Sequence, residues 1–459
     1  MRDAMNFLPK EFLERMKMMG HFDFDAFCAS FEVPHFRGVR LNRLKCTEKA
    51  EASLRATVGE QWTATPFGRD TYYLPAEFDG IGRLALHHAG AVYVQEPSAT
   101  SAVEVLAPRP GDRVLDLCAA PGGKSTQIGA MLQGEGLLWS NEIVKNRAQI
   151  LLSNIERMGI RNAVVSSCHP EQLCRRLEGF FDKMLVDAPC SGEGMFARDE
   201  QAVAEWSPEH VTACAVRQLA ILDSAVKALR GGGELVYSTC TFAPEENEGV
   251  VCRFLDGHPE FELLDCGVEF GRPGVPEWGD GREELRLTRR IFPMDGGAGH
   301  FVAKFRKKGD ELGAAAGYRY VAKCEGRVEM EKLYREIFST ELYGIVERFG
   351  DRLVILPREL PVLDGLGVLR AGVAAGIWKK GRVEPEHGLF MAARSAELRR
   401  ELALSSEEEA VAAFLRGEEV DCDENGYTGV TVDGVTLGFG KCSGGRLKNH
   451  YPKGLRNLR

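Results

Sequence analysis

The sequence predicts an α/β protein: an open, largely parallel sheet forms the core, with a small α+β domain before it and a further region after it. Three observations carry this. The apolar run Val114-Leu115-Asp116-Leu117 ends in a tight turn, Pro121-Gly122-Gly123, and a helix-compatible stretch follows over 126–132. Strand, glycine turn and helix in that order build a ligand site beyond the carboxyl end of a sheet's first strand. Up to about residue 305, short apolar runs alternate with amphipathic segments, the pattern of buried parallel strands covered on both faces by helices. Four residues with chemistry to offer, Cys118, Glu142, Asp187 and Cys240, each stand at the end of such a run.

Length and composition bound the rest. The 459 residues are enough for two or three domains. A net charge of −9 argues against wholesale basic wrapping of nucleic acid and leaves local basic patches open. The thirteen cysteines show no Cys-x-x-Cys pair and no paired metal spacing, so reduced thiols and no metal are expected. No signal-like apolar run opens the chain and no stretch is long enough to span a membrane, so a soluble, cytoplasmic protein is expected.

In chain order, 9–20 has a helix start, an apolar face and a glycine stop, 23–31 is a second helix, and 38–42 alternates like a strand. Arg37, Arg40 and Arg43 read either as RNA contacts or as a solvated rim. Ser98 is positioned to cap a helix over 99–106, and 108–112 turns the chain into the first core strand. The second strand covers 136–140 and ends at Asn141-Glu142; Ile150, Leu151, Ile155 and Met158 then mark one face of a helix over 145–158. Strands follow at 162–166 and 180–187. A helix over 213–230 is stopped by Gly231-Gly232-Gly233, and the strand 234–238 delivers Thr239-Cys240 to the same edge. Glu245, Glu246 and Glu248 read as first-turn acids of the next helix, which would put a helix start just after Cys240. The last core strands are 289–293 and 299–305.

Residues 309–317 form the best linker, with small residues and clustered charges. Beyond it, 352–356 and 367–370 look like strands of a separate domain. Ser406 and Glu409 have the spacing of a capping box for a helix ending at Gly417, and Asp433-Gly434 joins two strands as a hairpin. From Lys441 to the end every charge is basic, with His450 and Tyr451 as candidate stacking groups for RNA.

Two ligand classes compete for the glycine turn. Gly123-Lys124-Ser125 ends like a phosphate-binding loop, but the glycine such a loop needs five positions earlier is Cys118, which disfavours a nucleotide triphosphatase. A ligand with one carboxylate and an adenosine, such as S-adenosylmethionine, needs only a looser turn plus an acid about twenty residues on. Glu142 stands there, placed to hold ribose hydroxyls.

The segments 116–124 (Asp-Leu-Cys-Ala-Ala-Pro-Gly-Gly-Lys), 187–194 (Asp-Ala-Pro-Cys-Ser-Gly-Glu-Gly) and 238–241 (Ser-Thr-Cys-Thr) resemble, in order and spacing, the Sun-family RNA cytosine-5 methyltransferases. The tail 448–456 is similar to that of RsmF-type ribosomal RNA methyltransferases. The resemblance implies a Rossmann-like class I methyltransferase core at 91–308, an N-terminal domain at 1–90 packed against it, and an RNA-binding region at 318–459 that is PUA-like toward its end. It implies S-adenosylmethionine held by Cys118, Ala119, Ala120, Pro121, Gly122, Gly123, Lys124, Glu142 and Asp187. It also implies RNA rather than DNA as partner, 16S ribosomal RNA foremost, and a monomer. Transfer RNA, or a non-catalytic RNA-binding role, are the alternatives.

Methylating carbon 5 of cytosine needs a thiolate that adds at carbon 6, a group that holds the base and a base for the carbon 5 proton. Two cysteines compete. Cys190 follows a proline as the attacking cysteine of DNA cytosine-5 methyltransferases does, whereas Cys240 matches the attacking cysteine of the RNA family. The resemblance therefore makes Cys240 the nucleophile and Cys190 the residue that aids release, with Asp187 and Lys124 completing the catalytic set. Asp116 reads as a brace for the glycine turn. Some relatives carry an acid after the third strand, on the adenine side; here the loop is Ser167-Cys168-His169-Pro170-Glu171, and His169 and Glu171 both remain candidates.

Overall fold

The computed structural model describes residues 7–33, 36–59, 62–75, 78–310, 313 and 315–456. Glu311, Leu312 and Ala314 of the linker and Arg459 of the tail lie outside them. A ten-stranded sheet dominates. Its five parallel strands lie in the order Leu229–Thr239, Phe181–Asp187, Arg113–Asp116, Leu137–Asn141, Ala163–Ser166. The chain reverses its direction of winding at Arg113–Asp116, which puts the crevice for a ligand at that strand's carboxyl end. His300–Lys307 runs antiparallel beside Leu229–Thr239, with Phe301 opposite Thr239.

The strands are buried on both faces because helices cover both. Trp139, Met184 and Tyr237 face one core; Val114, Leu138, Leu185 and Val236 face the other. The helix Lys145–Arg157 buries Ala148, Leu151 and Ile155, but Ile150 is exposed. One residue before Leu151, it is rotated about 100° off the buried stripe. The long helix starts earlier than expected, at Pro208, because Ser207 caps it by accepting from His210 N, and it runs to Ala228. The three glycines do not end it. They lie inside the strand Leu229–Thr239, beside a register shift opposite Phe181 and Lys183, a bulge that glycine accommodates.

Other local expectations change as well. Ser98 is not the cap: Glu96 accepts from Ser98 N and Ala99 N at the head of a short 3-10 turn, and the Ser98 hydroxyl donates to that same carboxylate. The capping box at Ser406 does not form, since the helix starts at Glu409 and Ser405 N donates to Glu408 instead. The hairpin at Asp433-Gly434 does form, with φ of +48° and +79° at those residues. Helices Glu48–Val58 and Pro170–Arg176 escaped the sequence reading.

The N-terminal and C-terminal sheets meet. A three-stranded sheet (Thr71–Leu74, Arg37–Leu41, Val92–Gln95) shares an apolar core with a five-stranded C-terminal sheet, Val39, Leu41 and Leu54 packing with Phe414, Val430 and Leu437. Lys45 Nζ donates to Thr436 O and Thr47 Oγ1 to Asp433 O. Val368–Ala371, expected in a separate domain, instead pairs antiparallel with Ala163–Ser166 as an edge strand of the central sheet. Cys422, just after the strand Val420–Asp421, and Cys442, on the strand Val435–Ser443, are joined as a disulfide, against the expectation that all thiols are reduced.

Candidate active site

The glycine turn is held from outside. Gly122 has φ +115°, a left-handed conformation that suits glycine. The carbonyls of Ala120, Pro121 and Gly123 accept from Arg147, Asn154 and Arg40. Arg40 is buried and also donates to Thr126 Oγ1, so it braces the turn and does not reach RNA. Arg43 is engaged with Asp70 and Glu51, and Arg37 with Asp79 and the Phe78 carbonyl. Asp116 is fully buried; it accepts from Ser125 Oγ at 2.6 Å, which ties the strand end to the helix Gly123–Leu132, while its Oδ1 has no partner. Burial, against that hydrogen bond, pushes its carboxyl up to about 7.

Glu142 directly follows the second strand, which ends at Asn141, and it is a buried group: Oε1 accepts from Val144 N and Oε2 faces Arg147. Past the third strand, His169 caps the helix Pro170–Arg176 by accepting from Glu171 N, and both residues are exposed. Cys118 is half-buried, and burial holds its thiol well above the ordinary range.

Lys124 crosses the crevice to Asp187, Nζ to Oδ2 at 2.8 Å, and Ser238 Oγ donates to Oδ1 at 2.7 Å. Burial works against both charges, yet the pair outweighs it: Lys124 is raised and Asp187 lowered, so both are charged. Next to them, Cys190 and Cys240 bring their sulfurs within 3.3 Å. The hydrogen bond with Cys240, then burial, pushes the Cys190 thiol well up. The helix start expected just after Cys240 comes later, since the next helix begins only at Glu248.

Sequence reasoning missed three groups around these sulfurs. Glu246, read as a first-turn acid, precedes the helix and is fully buried. Glu193 is buried too, and His300 lies at the same edge with Nδ1 3.1 Å from Ser98 Oγ. Nothing local in the sequence marks them, since all their partners are distant along the chain.

The family model described as 16S rRNA methyltransferase RsmB/F matches residues 103–306. Models for the N-terminal domain of 16S rRNA methyltransferase RsmF, its first C-terminal domain and its PUA domain match 8–97, 333–392 and 401–457. The ribosomal RNA small subunit methyltransferase F of Klebsiella pneumoniae is 33% identical over 472 residues, covering 98% of this chain and 96% of that protein. The chain belongs to the ribosomal RNA small subunit methyltransferase F family. The F-type enzyme of Aeromonas salmonicida is 32% identical over 98% of the chain and 97% of its own length. Among solved structures, a methyltransferase homolog protein from Pyrococcus horikoshii superposes with TM-score 0.55 at 28% identity, over 65% of this chain and all of that one. The NSun6 structure from the same organism, at 23% identity and TM-score 0.58, covers 67% of this chain and all of its own, and shares the fold.

Proposed function

We infer that this chain transfers a methyl group from S-adenosylmethionine to carbon 5 of a cytosine in small-subunit ribosomal RNA. The observation that carries it is the pair of sulfurs 3.3 Å apart beside the charged Lys124–Asp187 pair. The cofactor fits the strand ends. The first-turn amides of the helix at Gly123 suit a carboxylate, Glu142 suits ribose hydroxyls, and Asp116 keeps an unpartnered buried oxygen by the turn. When bound, it supplies an electrophilic methyl group.

The residues divide the work as follows. Cys240 adds to carbon 6 of the base through its thiolate, which makes carbon 5 nucleophilic. Asp187, kept ionised by Lys124, accepts from the base and orients it. Cys190, protonated before attack, passes its proton to solvent water and as thiolate then takes the one on carbon 5; the carbon 6–sulfur bond breaks, the ring double bond reforms and Cys240 leaves as thiolate. The target base has to be unstacked into the crevice, at about a few kcal/mol, which favours loops and partly assembled RNA. Transfer RNA is the alternative substrate, and a non-catalytic RNA-binding role is disfavoured by the intact thiol pair. We further take the enzyme to be a cytoplasmic monomer acting on RNA rather than DNA, with 1–90 and 318–459 serving the catalytic region 91–308.

A denaturing gel with labelled RNA tests the assignment. Cys240→Ala should give neither product nor adduct. Cys190→Ala should accumulate a covalent protein–RNA species that the double variant lacks. An adduct in Cys240→Ala would overturn the assignment of the nucleophile.

A further inference from the structure

The loops that carry the two sulfurs are tied together by buried carboxylates that cross in opposite directions. Glu193 follows Cys190, yet its Oε2 accepts from Thr241 Oγ1 and Phe242 N, both at 2.9 Å, on the loop of Cys240; Oε1 accepts from Trp206 Nε1 at 2.9 Å. Glu246 follows Cys240, yet it accepts from Ser191 N at 3.1 Å, next to Cys190, and from Gln218 Nε2 at 2.7 Å. Between them Ser191 Oγ and Thr241 Oγ1 are 2.8 Å apart. The backbones touch as well: Gly194 N donates to Cys240 O at 2.8 Å, and a Cβ on Gly194 would lie 2.9 Å from that oxygen.

These carboxylates are 2% and 0% exposed, and neither makes a salt bridge among the described residues. Burying such groups is costly unless hydrogen bonds satisfy them. Here part of the donor set for each acid belongs to the opposite sulfur's loop, Thr241 and Phe242 for Glu193 and Ser191 for Glu246, while Trp206 and Gln218 supply the rest. We propose that Glu193 and Glu246 are positioning residues of the methyl transfer: Glu193 places Cys240 for attack, and Glu246 places Cys190 for release. The proposal rests on the reading that Cys240 attacks and Cys190 acts afterwards. Carbons 5 and 6 are neighbours in the ring, so the two sulfurs have to serve adjacent atoms from a fixed spacing. A misplacement of about 1 Å at a reacting group costs roughly 100-fold in rate.

The crossing gives the two acids opposite phenotypes. Glu246→Ala frees the loop of Cys190 and leaves Cys240 held by Gly194 just past the end of its strand, so attack persists and release slows. The covalent RNA adduct should rise at least tenfold over wild type. Glu193→Ala loosens 241–242, so attack slows and both adduct and product should fall at least tenfold. A merely structural role would lower both readouts in both variants, and that result overturns the proposal.

A second measurement needs no RNA. Diamide takes two protons and two electrons from a pair of thiols, leaving a disulfide and its own hydrazine. On the full chain, the rate of Cys190–Cys240 disulfide formation, read by mass spectrometry of the linked peptides, should fall at least tenfold in both variants. Unchanged rates would overturn the clamp. Slowed rates without the opposite adduct pattern would leave the spacing device standing and overturn the division of labour between the sulfurs. Glu193→Asp and Glu246→Asp, which keep the carboxyl group but withdraw it by one methylene, should move the same way by smaller factors. They serve if an alanine variant does not fold.

Discussion

At the scale of single residues the glycine turn and its brace make two predictions. Gly122 sits at φ +115°, and a Cβ there would lie 3.1 Å from Leu151 Cδ1. Gly122→Ala should cost about 1–2 kcal/mol of stability and shift the turn, so S-adenosylmethionine affinity by calorimetry should drop. Unchanged affinity would detach the turn from the cofactor. Asp116 titrates at about 7 in the folded chain because it is buried, whereas an unfolded aspartate titrates near about 3.9. The folded state therefore holds this proton more tightly. Its contribution is fully present below about pH 4, and it is lost as pH rises toward about 7, then stays level. In Asp116→Asn the melting temperature, relative to wild type, should climb between pH 5 and 7.5; a flat difference would refute the buried, raised carboxyl.

Between elements, one ion pair stands out from the many at the surface. Arg290, on the strand Arg289–Ile291, reaches Glu248 at the head of the helix Glu248–Gly257, with Nε 2.7 Å from Oε1, and its Nη1 donates to Phe242 O. Both side chains are buried, at 2% and 0% exposure. Arg290→Ala would leave Glu248 as an uncompensated buried charge, at about 3–5 kcal/mol. Arg290→Lys keeps the charge but loses the planar fork and should fall between. Chemical denaturation reads both, and a loss in Arg290→Ala no greater than in Arg290→Lys would show that the fork, not the charge, holds these elements together. Substituting Arg416, whose partners Glu409 and Glu418 are exposed, should leave the midpoint unchanged.

For the whole molecule, charge and packing point to different parts of the C-terminal region. Lys441, Lys448 and Lys453 are exposed, while Tyr451 is buried against His387 and Phe414 and offers no stacking surface to RNA. Replacing the three lysines by glutamate should weaken RNA binding and flatten its salt dependence by about two to three in slope, with S-adenosylmethionine affinity intact. An unaltered slope would make these residues a solvated surface. Removing everything after residue 317 is a poorer test. It would strip the edge strand Val368–Ala371 from the central sheet and uncover Val39 and Leu54, so loss of solubility is the expected result.

The sequence by itself determined what local rules govern. The strand, glycine turn and helix around Gly122, the hairpin at Asp433-Gly434 and the arrival of Asp187 and Cys240 at one sheet edge all follow from neighbours a few residues apart. Only the tertiary structure decided which polar groups are buried, and against what. Arg40 reads like a surface cation until Gly123 and Thr126 fold over it. Glu246 reads like a helix-start acid until Ser191 and Gln218 meet it. Ile150 and Tyr451 exchange the exposure that periodicity and composition suggest for each. A side chain's burial and hydrogen-bond partners come from segments far along the chain, and no window of sequence contains both halves of such a contact.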